Sequence, residues 1–499
     1  MPPQRRFNTP DAQTLARFFD DAARVLGEEN VSRTPEHGAL RGAQNRDSYS
    51  DPFSFSTLHQ PSGAVRPGDV EDVQELLKLA NRHKVPLWTV SRGKNLGYIL
   101  EVNGEYGYAI VEPGVSFFDL YEEIQRRGLG LWPSVPAIGW GSHSQSQCGM
   151  EVVLPKGDIL RTGMGAMAEN NTFALYKGRI SVSPGLDWKY YDQRLLIETG
   201  VVTKIGIHIT PAPEAYATFT VSVSREEDLV PLVGVLSDLM RRSVILNSPS
   251  IANIFRIALL SQAPEVQAKL AQHMKPNSHV PYLVLEEIRR QQGWGFWKAY
   301  FSLHGSMEML PALLSTVQRA FSVIPGVQIQ WREFPGNPGR TINAAEIGSE
   351  EIPHSGISTL SPLDLINSRA EPDGGHIDYS PILPPSGREL YHWYLTAKRR
   401  TVDANFDFFA DFHVYPRYVV AIELTLARDG AEQGYIAYRT HVSHMDNLAG
   451  GLDFNGHAFS KVTSVLKDLF DPNGILSPGK SGICNALAIY VCIPVPFYS

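Results

Sequence analysis

The chain has 499 residues, 43% of them hydrophobic and 19% charged, which are the proportions of an ordinary globular protein with more than one domain. Its net charge of −7 is mild for this length and gives no reason to expect nucleic acid or an anionic membrane as a partner. Three scattered cysteines are too few for a disulfide framework or a zinc cluster, and the N-terminus has no apolar run of the kind found in signal peptides. The apolar tail is too short to span a bilayer. We therefore expect a cytoplasmic or peroxisomal protein without a bound metal.

The first part of the chain alternates predicted helices and strands. Apolar residues recur at helical spacing over residues 7–27 and again in "DVEDVQELLKLANRHKV", which Asp69 opens. A strand, "PLWTV", follows the second helix, and the same helix-then-strand order returns in "SFFDLYEEIQRRGLGLW". "GMEVVLPKGDILRTG" predicts a hairpin that turns at Lys156 and Gly157. "GVVTKIGIHITPAP" is then predicted to be a strand that ends at its prolines.

Beyond this Pro-Ala-Pro the pattern changes to strands followed by long helices. "ATFTVSVSREEDLVPLVGVLSDLMRRS" and "FWKAYFSLHGSMEMLPALLSTVQRAFSVI" each predict such a pair, and "FADFHVYPRYVVAIELTLARD" predicts two more strands. These elements favour an α+β fold built on an antiparallel sheet. A helix and a Pro/Gly-rich stop, "GLDFNGHAFSKVTSVLKDLFDPNGILSPGK", are predicted near the C-terminus.

The turn "SRGKN" contains Ser91, Arg92, Gly93, Lys94 and Asn95 directly after a predicted strand. Such a turn can offer backbone N–H groups and a cation to a phosphate, although an ordinary surface turn has the same composition.

Two further motifs contain candidate catalytic groups. His376 follows two glycines in "GGHIDYSPI" and could act as a base, a ligand or a nucleophile, although a structural role is the more common one for a single histidine. Tyr438 and Arg439 could together hold an anionic oxygen. Neighbours in a strand point to opposite faces, so both would reach one ligand only at a strand end or a bulge.

Taken together, these stretches resemble the vanillyl-alcohol oxidase/p-cresol methylhydroxylase family of FAD enzymes. The matching stretches occur in the same order across most of the chain: "PLWTVSRGKNLGY", "VEPGVSFFDLYE", "VPAIGWGS", "GMEVVLPKGDILRTGMGA", "GVVTKIGIHITPAP", "GGHIDYSPI", "YRTHVSHMD" and "DPNGILSPGKSG". The resemblance implies a two-domain fold, with a PCMH-type FAD-binding domain from residues 1–211 and 438–499 and an α+β cap domain from residues 212–437.

The resemblance also implies roles for individual residues. The "SRGKN" turn would hold the pyrophosphate of FAD, with Gly139, Gly141 and Ser142 close to the cofactor. His376 would join the flavin covalently. Tyr98, Tyr438 and Arg439 would bind the oxygen of a phenolic substrate as phenolate. The electron acceptor would be oxygen or another protein, and we expect a homo-oligomer.

This chain also departs from the family pattern. About two dozen residues that relatives carry after the "SRGKN-GY" turn have no counterpart here, and a second gap follows "GWGS". That second gap removes the flavin-adjacent aspartate of the family, because "GWGSHSQSQCGMEVV" contains no acidic residue before Met150. The sequence thus also allows a catalytically inactive relative that keeps the fold. A flavin oxidase acting on a sugar or a hydroxy acid is a further alternative, which the three phenolate-binding residues disfavour.

Overall fold

The computed structural model describes residues 10–33, 61–89, 96–133, 146–167, 200–274, 278–335, 380–422, 430, 433–435, 437 and 445–485. The chain forms two compact units, the first from residues 1–120, 144–209 and 442–499 and the second from residues 121–143 and 210–441. The domain limits of 211 and 437 expected from the sequence stay predictions; the compact units divide after residues 209 and 441 and place residues 121–143 in the second unit. No helix within the described ranges is both long and apolar enough to cross a membrane.

The structure contains most of the predicted helices and strands, together with elements that the sequence analysis did not predict. The helices are α1 (Ala12–Leu26), α2 (Val70–His83), α3 (Phe117–Arg126), α4 (Leu229–Arg241), α5 (Ile254–Leu260), α6 (Pro264–His273), α7 (Tyr282–Gln291), α8 (Leu310–Phe321), α9 (Gly387–Asp403), α10 (Met445–Gly450) and α11 (Phe454–Phe470). The strands are β1 (Val31–Ser32), β2 (Ala64–Val65), β3 (Ile99–Asn103), β4 (Tyr108–Val111), β5 (Leu131–Trp132), β6 (Gln147–Val153), β7 (Ile159–Arg161), β8 (Val201–His208), β9 (Thr210–Pro211), β10 (Ala215–Val223), β11 (Ser250–Asn253), β12 (Trp297–Gly305), β13 (Gln328–Pro335), β14 (Ile382–Leu383), β15 (Asp411–Val414) and β16 (Val419–Ile422).

The first unit contains a five-stranded antiparallel sheet in the order β3-β4-β8-β6-β7. The predicted hairpin is confirmed: β6 pairs with β7, and the backbone N–H of Leu154 donates to the carbonyl of Asp158 across the turn at 2.8 Å. Gly157 in that turn has φ +93°, a conformation that side-chain-bearing residues rarely adopt. A glycine at position 157 therefore allows the hairpin to close without backbone strain.

Helices α1 and α2 form the main hydrophobic core of this unit. Each begins at a capping aspartate: Asp11 accepts from the N–H of Thr14, and Asp69 accepts from the N–H of Asp72. The apolar faces that the sequence predicts are buried and pack together, with Phe18 and Leu77 almost fully enclosed. Ile475 and Leu476 from the C-terminal region belong to the same core.

The second unit is built on a seven-stranded antiparallel sheet in the order β13-β10-β12-β11-β15-β16-β14. On one face Phe219 stacks on Phe301, which in turn stacks on Phe321 of α8, so helices cover this side with apolar contacts. The expected α+β architecture is confirmed.

Two predictions for the first unit are wrong or incomplete. Where "PLWTV" predicts a strand after α2, the described part of that stretch contains only a single bridge, from Leu87 to Leu476. Cys484 takes part in a disulfide, which the sequence did not predict.

Glu151 is a buried carboxylate in the middle of the first sheet. Its oxygens lie 2.7 Å from the Nε of Arg161 on β7 and 2.8 Å from the Nζ of Lys204 on β8, and Thr203 donates to it at 3.0 Å. Burial favours the neutral form, but the hydrogen bonds from Lys204 and Arg161 outweigh burial and lower the pKa of Glu151 below its usual value. Its charged form thus holds three neighbouring strands together.

We predict that Glu151→Gln lowers the free energy of unfolding by about 2 kcal/mol at neutral pH, because the amide loses two charge-assisted hydrogen bonds. The pKa of Glu151 is lower in the folded protein than in the unfolded chain. The carboxylate therefore stabilises the fold fully at any pH above its unfolded-state pKa, and this stabilisation is lost as the pH falls through its folded-state pKa. The gap between wild type and variant should therefore close in acid. Urea unfolding at several pH values measures this, with the exposed Glu105→Gln as a control. A gap that stays constant with pH would contradict the assignment.

Candidate functional site

The structure describes only one of the residues assigned to the site from the sequence. Tyr98 lies in the first unit, immediately before β3. The others lie outside the described residues, and their roles stay predictions: Ser91, Arg92, Gly93, Lys94, Asn95, Gly139, Gly141, Ser142, His376, Tyr438 and Arg439. The structure does describe residues that flank several of these positions, and their contacts show what holds the neighbouring chain.

Tyr98 is fixed through its backbone while its side chain stays open. Its N–H donates to the Oε2 of Glu112 at 2.8 Å, and its carbonyl accepts from the N–H of Glu112 at 3.1 Å. Glu112 itself is buried, whereas Tyr98 is 71% exposed. The side chain of Tyr98 is thus largely exposed, on a backbone that Glu112 holds at both its N–H and its carbonyl.

Glu112 belongs to "VEPGV", a turn whose role sequence reasoning missed. The carbonyl of Leu96 accepts from the N–H of Gly114 at 2.7 Å, so this turn also holds the residue that follows the "SRGKN" segment. Leu96 is buried with φ +49°, a left-handed conformation that is unusual for a leucine and that the surrounding contacts must impose. The Pro-Gly dipeptide indicates a turn here, but no sequence pattern indicates which backbone N–H donates to the carboxylate of Glu112.

The segment that leads into "SRGKN" is held by the C-terminal region. Leu87 donates its N–H to the carbonyl of Ile475 at 2.6 Å, and its own carbonyl accepts from the N–H of Ser477 at 2.7 Å. Ser477 is buried with φ +39°, and its hydroxyl has no hydrogen-bond partner in the structure. An unsatisfied buried hydroxyl next to this segment fits a polar group bound nearby, as the phosphates of FAD would be.

Strand β6 follows the segment that contains Gly141 and Ser142. Every residue from Gln147 to Val153 is buried, and the strand pairs with β7 on one side and β8 on the other. The ion pairs of Glu151 with Arg161 and Lys204 anchor this strand to both of its neighbours.

In the second unit, an isolated β-bridge joins two residues that are near predicted site residues in the sequence. Pro381 pairs antiparallel with Ala437, and Ala437 is buried. Ala437 directly precedes Tyr438, and Pro381 lies a few residues after His376. Pro381 and Ala437 are thus paired although the sequence separates them by more than fifty residues.

The second face of the seven-stranded sheet carries buried polar groups that sequence reasoning did not single out. Asp411 on β15 lies 3.1 Å from the Nε of Arg256 and 3.5 Å from the Nε2 of His413. Arg256 and Lys298 both lie over the ring of Tyr300, at 5.8 Å and 5.1 Å from its centroid. The alternation of Asp and His with apolar residues in "ADFHVY" was the available signal. Within the described ranges, no group of three or more His, Cys, Asp or Glu is placed to bind a metal.

This fold has close counterparts among solved structures. A p-cresol methylhydroxylase with bound substrate superposes with a TM-score of 0.79 at 25% identity, over 95% of this chain and 98% of that one. A 4-ethylphenol oxidase from Gulosibacter chungangensis, in complex with isoeugenol, has a TM-score of 0.79 at 24% identity, over 96% of this chain and 100% of that one. The fold is that of PCMH-type FAD-linked oxidases, and the protein is an FAD-dependent oxidoreductase.

A sequence relative establishes the family. The 4-cresol dehydrogenase (hydroxylating) flavoprotein subunit of Pseudomonas putida is 30% identical, and the match covers 86% of this chain and 89% of that protein. The chain belongs to the vanillyl-alcohol oxidase/p-cresol methylhydroxylase family. The alignment has 485 positions, but it includes only 86% of the 499 residues of this chain. The remaining positions are occupied by residues of the relative that have no counterpart here. No protein-family model matches the sequence.

We predict that Glu112→Ala lowers the free energy of unfolding by about 1–3 kcal/mol, because the backbone N–H of Tyr98 loses its buried acceptor. Glu112→Gln should restore most of the loss, since the amide oxygen can still accept. Thermal and urea unfolding measure the change, and Glu105→Ala at an exposed position of the same unit is the control. Equal stability of the alanine and glutamine variants would show that Glu112 does not hold Tyr98.

Proposed function

We propose that the protein oxidises phenols that carry a para substituent, such as a 4-hydroxybenzyl alcohol or a 4-allylphenol, by removing hydride from the benzylic carbon. The observation that carries this proposal is the largely exposed side chain of Tyr98, whose backbone N–H donates to Glu112. Support comes from relatives whose names specify 4-cresol and 4-ethylphenol as substrates.

In this proposal Tyr98, Tyr438 and Arg439 bind the substrate oxygen as phenolate. A free phenol has a pKa of about 10, so a binding site must favour the charged form to hold phenolate at neutral pH. Two hydroxyl donors and one guanidinium do this by hydrogen bonding and by charge. Electron density pushed from the phenolate into the ring then stabilises the quinone methide that forms as hydride leaves.

The same proposal assigns the cofactor contacts. Ser91, Arg92, Gly93, Lys94 and Asn95 would hold the pyrophosphate, with Gly139, Gly141 and Ser142 beside it, and His376 would bind the flavin covalently. Bound FAD supplies the hydride acceptor. Electrons then pass to oxygen or to an acceptor protein, and oxygen consumption during turnover distinguishes these two.

One observation favours a second candidate, a relative that keeps the fold without catalysis. The sequence between Gly141 and Met150 contains no acidic residue that could replace the flavin-adjacent aspartate of the family. A visible spectrum of the purified protein separates the candidates. Flavin colour and phenol-dependent turnover support the enzyme, whereas a colourless protein that cannot be reconstituted with FAD supports the second candidate.

We predict that acid precipitation of the wild-type protein leaves the flavin in the pellet, whereas His376→Ala releases it into the supernatant, because only the wild type has the covalent bond. The absorbance of the two fractions measures the distribution. The exposed His392→Ala, on α9, is the matched control and should retain the flavin. Release of flavin from the wild type would show that the attachment is absent.

We further predict that Arg439→Ala weakens binding of a phenol about ten- to hundred-fold, because the phenolate loses its charged partner. Perturbation of the flavin spectrum during titration with the phenol measures the dissociation constant. The exposed Arg417→Ala should bind as the wild type does. Unchanged affinity of the Arg439 variant would remove this residue from the site.

A further inference from the structure

The second face of the seven-stranded sheet is polar and yet largely buried. Thr218, Ser250 and Ser302 lie on this face and are almost fully enclosed, and Asp411 is buried on the same face. A sheet face that packs only against other parts of a protein is normally apolar. Sites for small molecules, in contrast, combine enclosure with a few fixed polar groups. This face therefore has the composition of a ligand site.

One row of paired residues crosses this face from β14 to β12. Opposite residues of antiparallel strands lie on the same face of a sheet, so the side chains of the row share one side. The register gives the members of the row in strand order: Ile382, Val420, His413, Ser250 and Tyr300. The row begins next to Pro381, which forms the bridge to Ala437. Ala437 immediately precedes Tyr438 in the sequence.

At its other end the row reaches Arg256, which extends from α5. Its guanidinium carbon lies 5.8 Å from the centroid of the Tyr300 ring, and its Nε lies 3.1 Å from Asp411. The side chain of Arg256 is only 14% exposed, and its two terminal nitrogens have no hydrogen-bond partner among the residues that the structure describes. Asp411 thus orients the guanidinium through Nε and leaves its terminal nitrogens available to a ligand.

A carboxylate is the ligand that suits this arrangement. A guanidinium can bind a carboxylate through two parallel hydrogen bonds. Lys298 brings a second positive charge to the same ring, with its Nζ 5.1 Å from the centroid of Tyr300, and two neighbouring cations favour an anion close to both. Ile382 and Val420, earlier in the row, are apolar and suit the carbon chain that would carry the carboxylate.

We propose that Arg256 and Lys298 bind a carboxylate at the end of the para side chain of the substrate. This assignment rests on the proposed function for the other end of the substrate, the phenolic oxygen. Strands β14 and β15 lie on either side of β16, so two strand spacings, about 10 Å, separate them. A 4-hydroxyphenyl group with a three-carbon acid chain spans a comparable distance. The substrate class is therefore that of 4-hydroxyphenylalkanoates, such as 3-(4-hydroxyphenyl)propanoate.

Isothermal titration calorimetry of the purified protein with 3-phenylpropanoate tests the carboxylate site alone, because this acid lacks the phenolic oxygen. Its dissociation constant should be at least about ten-fold lower than that of 3-phenylpropanamide, which has the same length without the charge. Arg256→Met should remove this preference, whereas Arg319→Met, at an exposed arginine on α8, should keep it. Equal affinity of the wild type for acid and amide, or an unchanged preference in a folded Arg256→Met variant, would overturn the proposal.

A second variant guards against misfolding. Arg256→Met leaves the buried Asp411 without its partner, which is destabilising, whereas Arg256→Met/Asp411→Asn removes both charges of the pair. Circular dichroism and thermal unfolding establish that each variant folds. The double variant should bind acid and amide equally, because it also lacks the guanidinium. A folded double variant that still prefers the acid would contradict the assignment of Arg256.

Titration with 3-(4-hydroxyphenyl)propanoate separates a failure of this proposal from a failure of the proposed function. The hydroxylated acid should bind more tightly than 3-phenylpropanoate, because both of its ends are held. A preference for the acid without any gain from the hydroxyl would support the carboxylate site and contradict the phenolate site. A gain from the hydroxyl without a preference for the acid over its amide would overturn the carboxylate site alone.

Discussion

The buried ion pair between Lys467 and Asp471 is the interaction on which the arrangement of the first unit depends. Both side chains are excluded from water, and Asp471 also accepts the backbone N–H groups of Ile475 and Leu476 at 3.0 Å and 2.9 Å. Removing one member of such a pair typically costs about 3–5 kcal/mol, because a buried charge is left without its partner. This pair fixes the turn that brings Leu476 beside Leu87, just before the predicted cofactor-binding turn.

The same ion pair explains the unusual surface of the C-terminal helix. Lys467 can reach Asp471 and the carbonyl of Leu476 only if its side of the helix faces inward. Val465 and Leu469 then face outward, because helical geometry places them on the other side. One electrostatic requirement in the interior thus places Leu476 beside Leu87 and leaves Val465 and Leu469 exposed.

Local patterns predict much of this fold, and contacts between distant segments account for what they miss. The hairpin at Lys156 and Gly157 was predictable because the turn residues and the alternating strands lie together in the sequence. The contact of Glu112 with Tyr98 was not, since a carboxylate that caps a distant backbone N–H leaves no periodic trace. For α11 the sequence predicted a helix, but it could not show which side of the helix faces inward. That choice is made by Lys467 and its tertiary partners.

The most direct test of the central claim is anaerobic mixing of the purified holoenzyme with 4-ethylphenol or 4-hydroxybenzyl alcohol, followed through the visible absorbance of the flavin. Phenol oxidation by this chain requires that the absorbance of oxidised flavin disappears in a single turnover, before any oxygen is admitted. Flavin that remains oxidised in the presence of either phenol, although a chemical reductant bleaches it, would contradict the account.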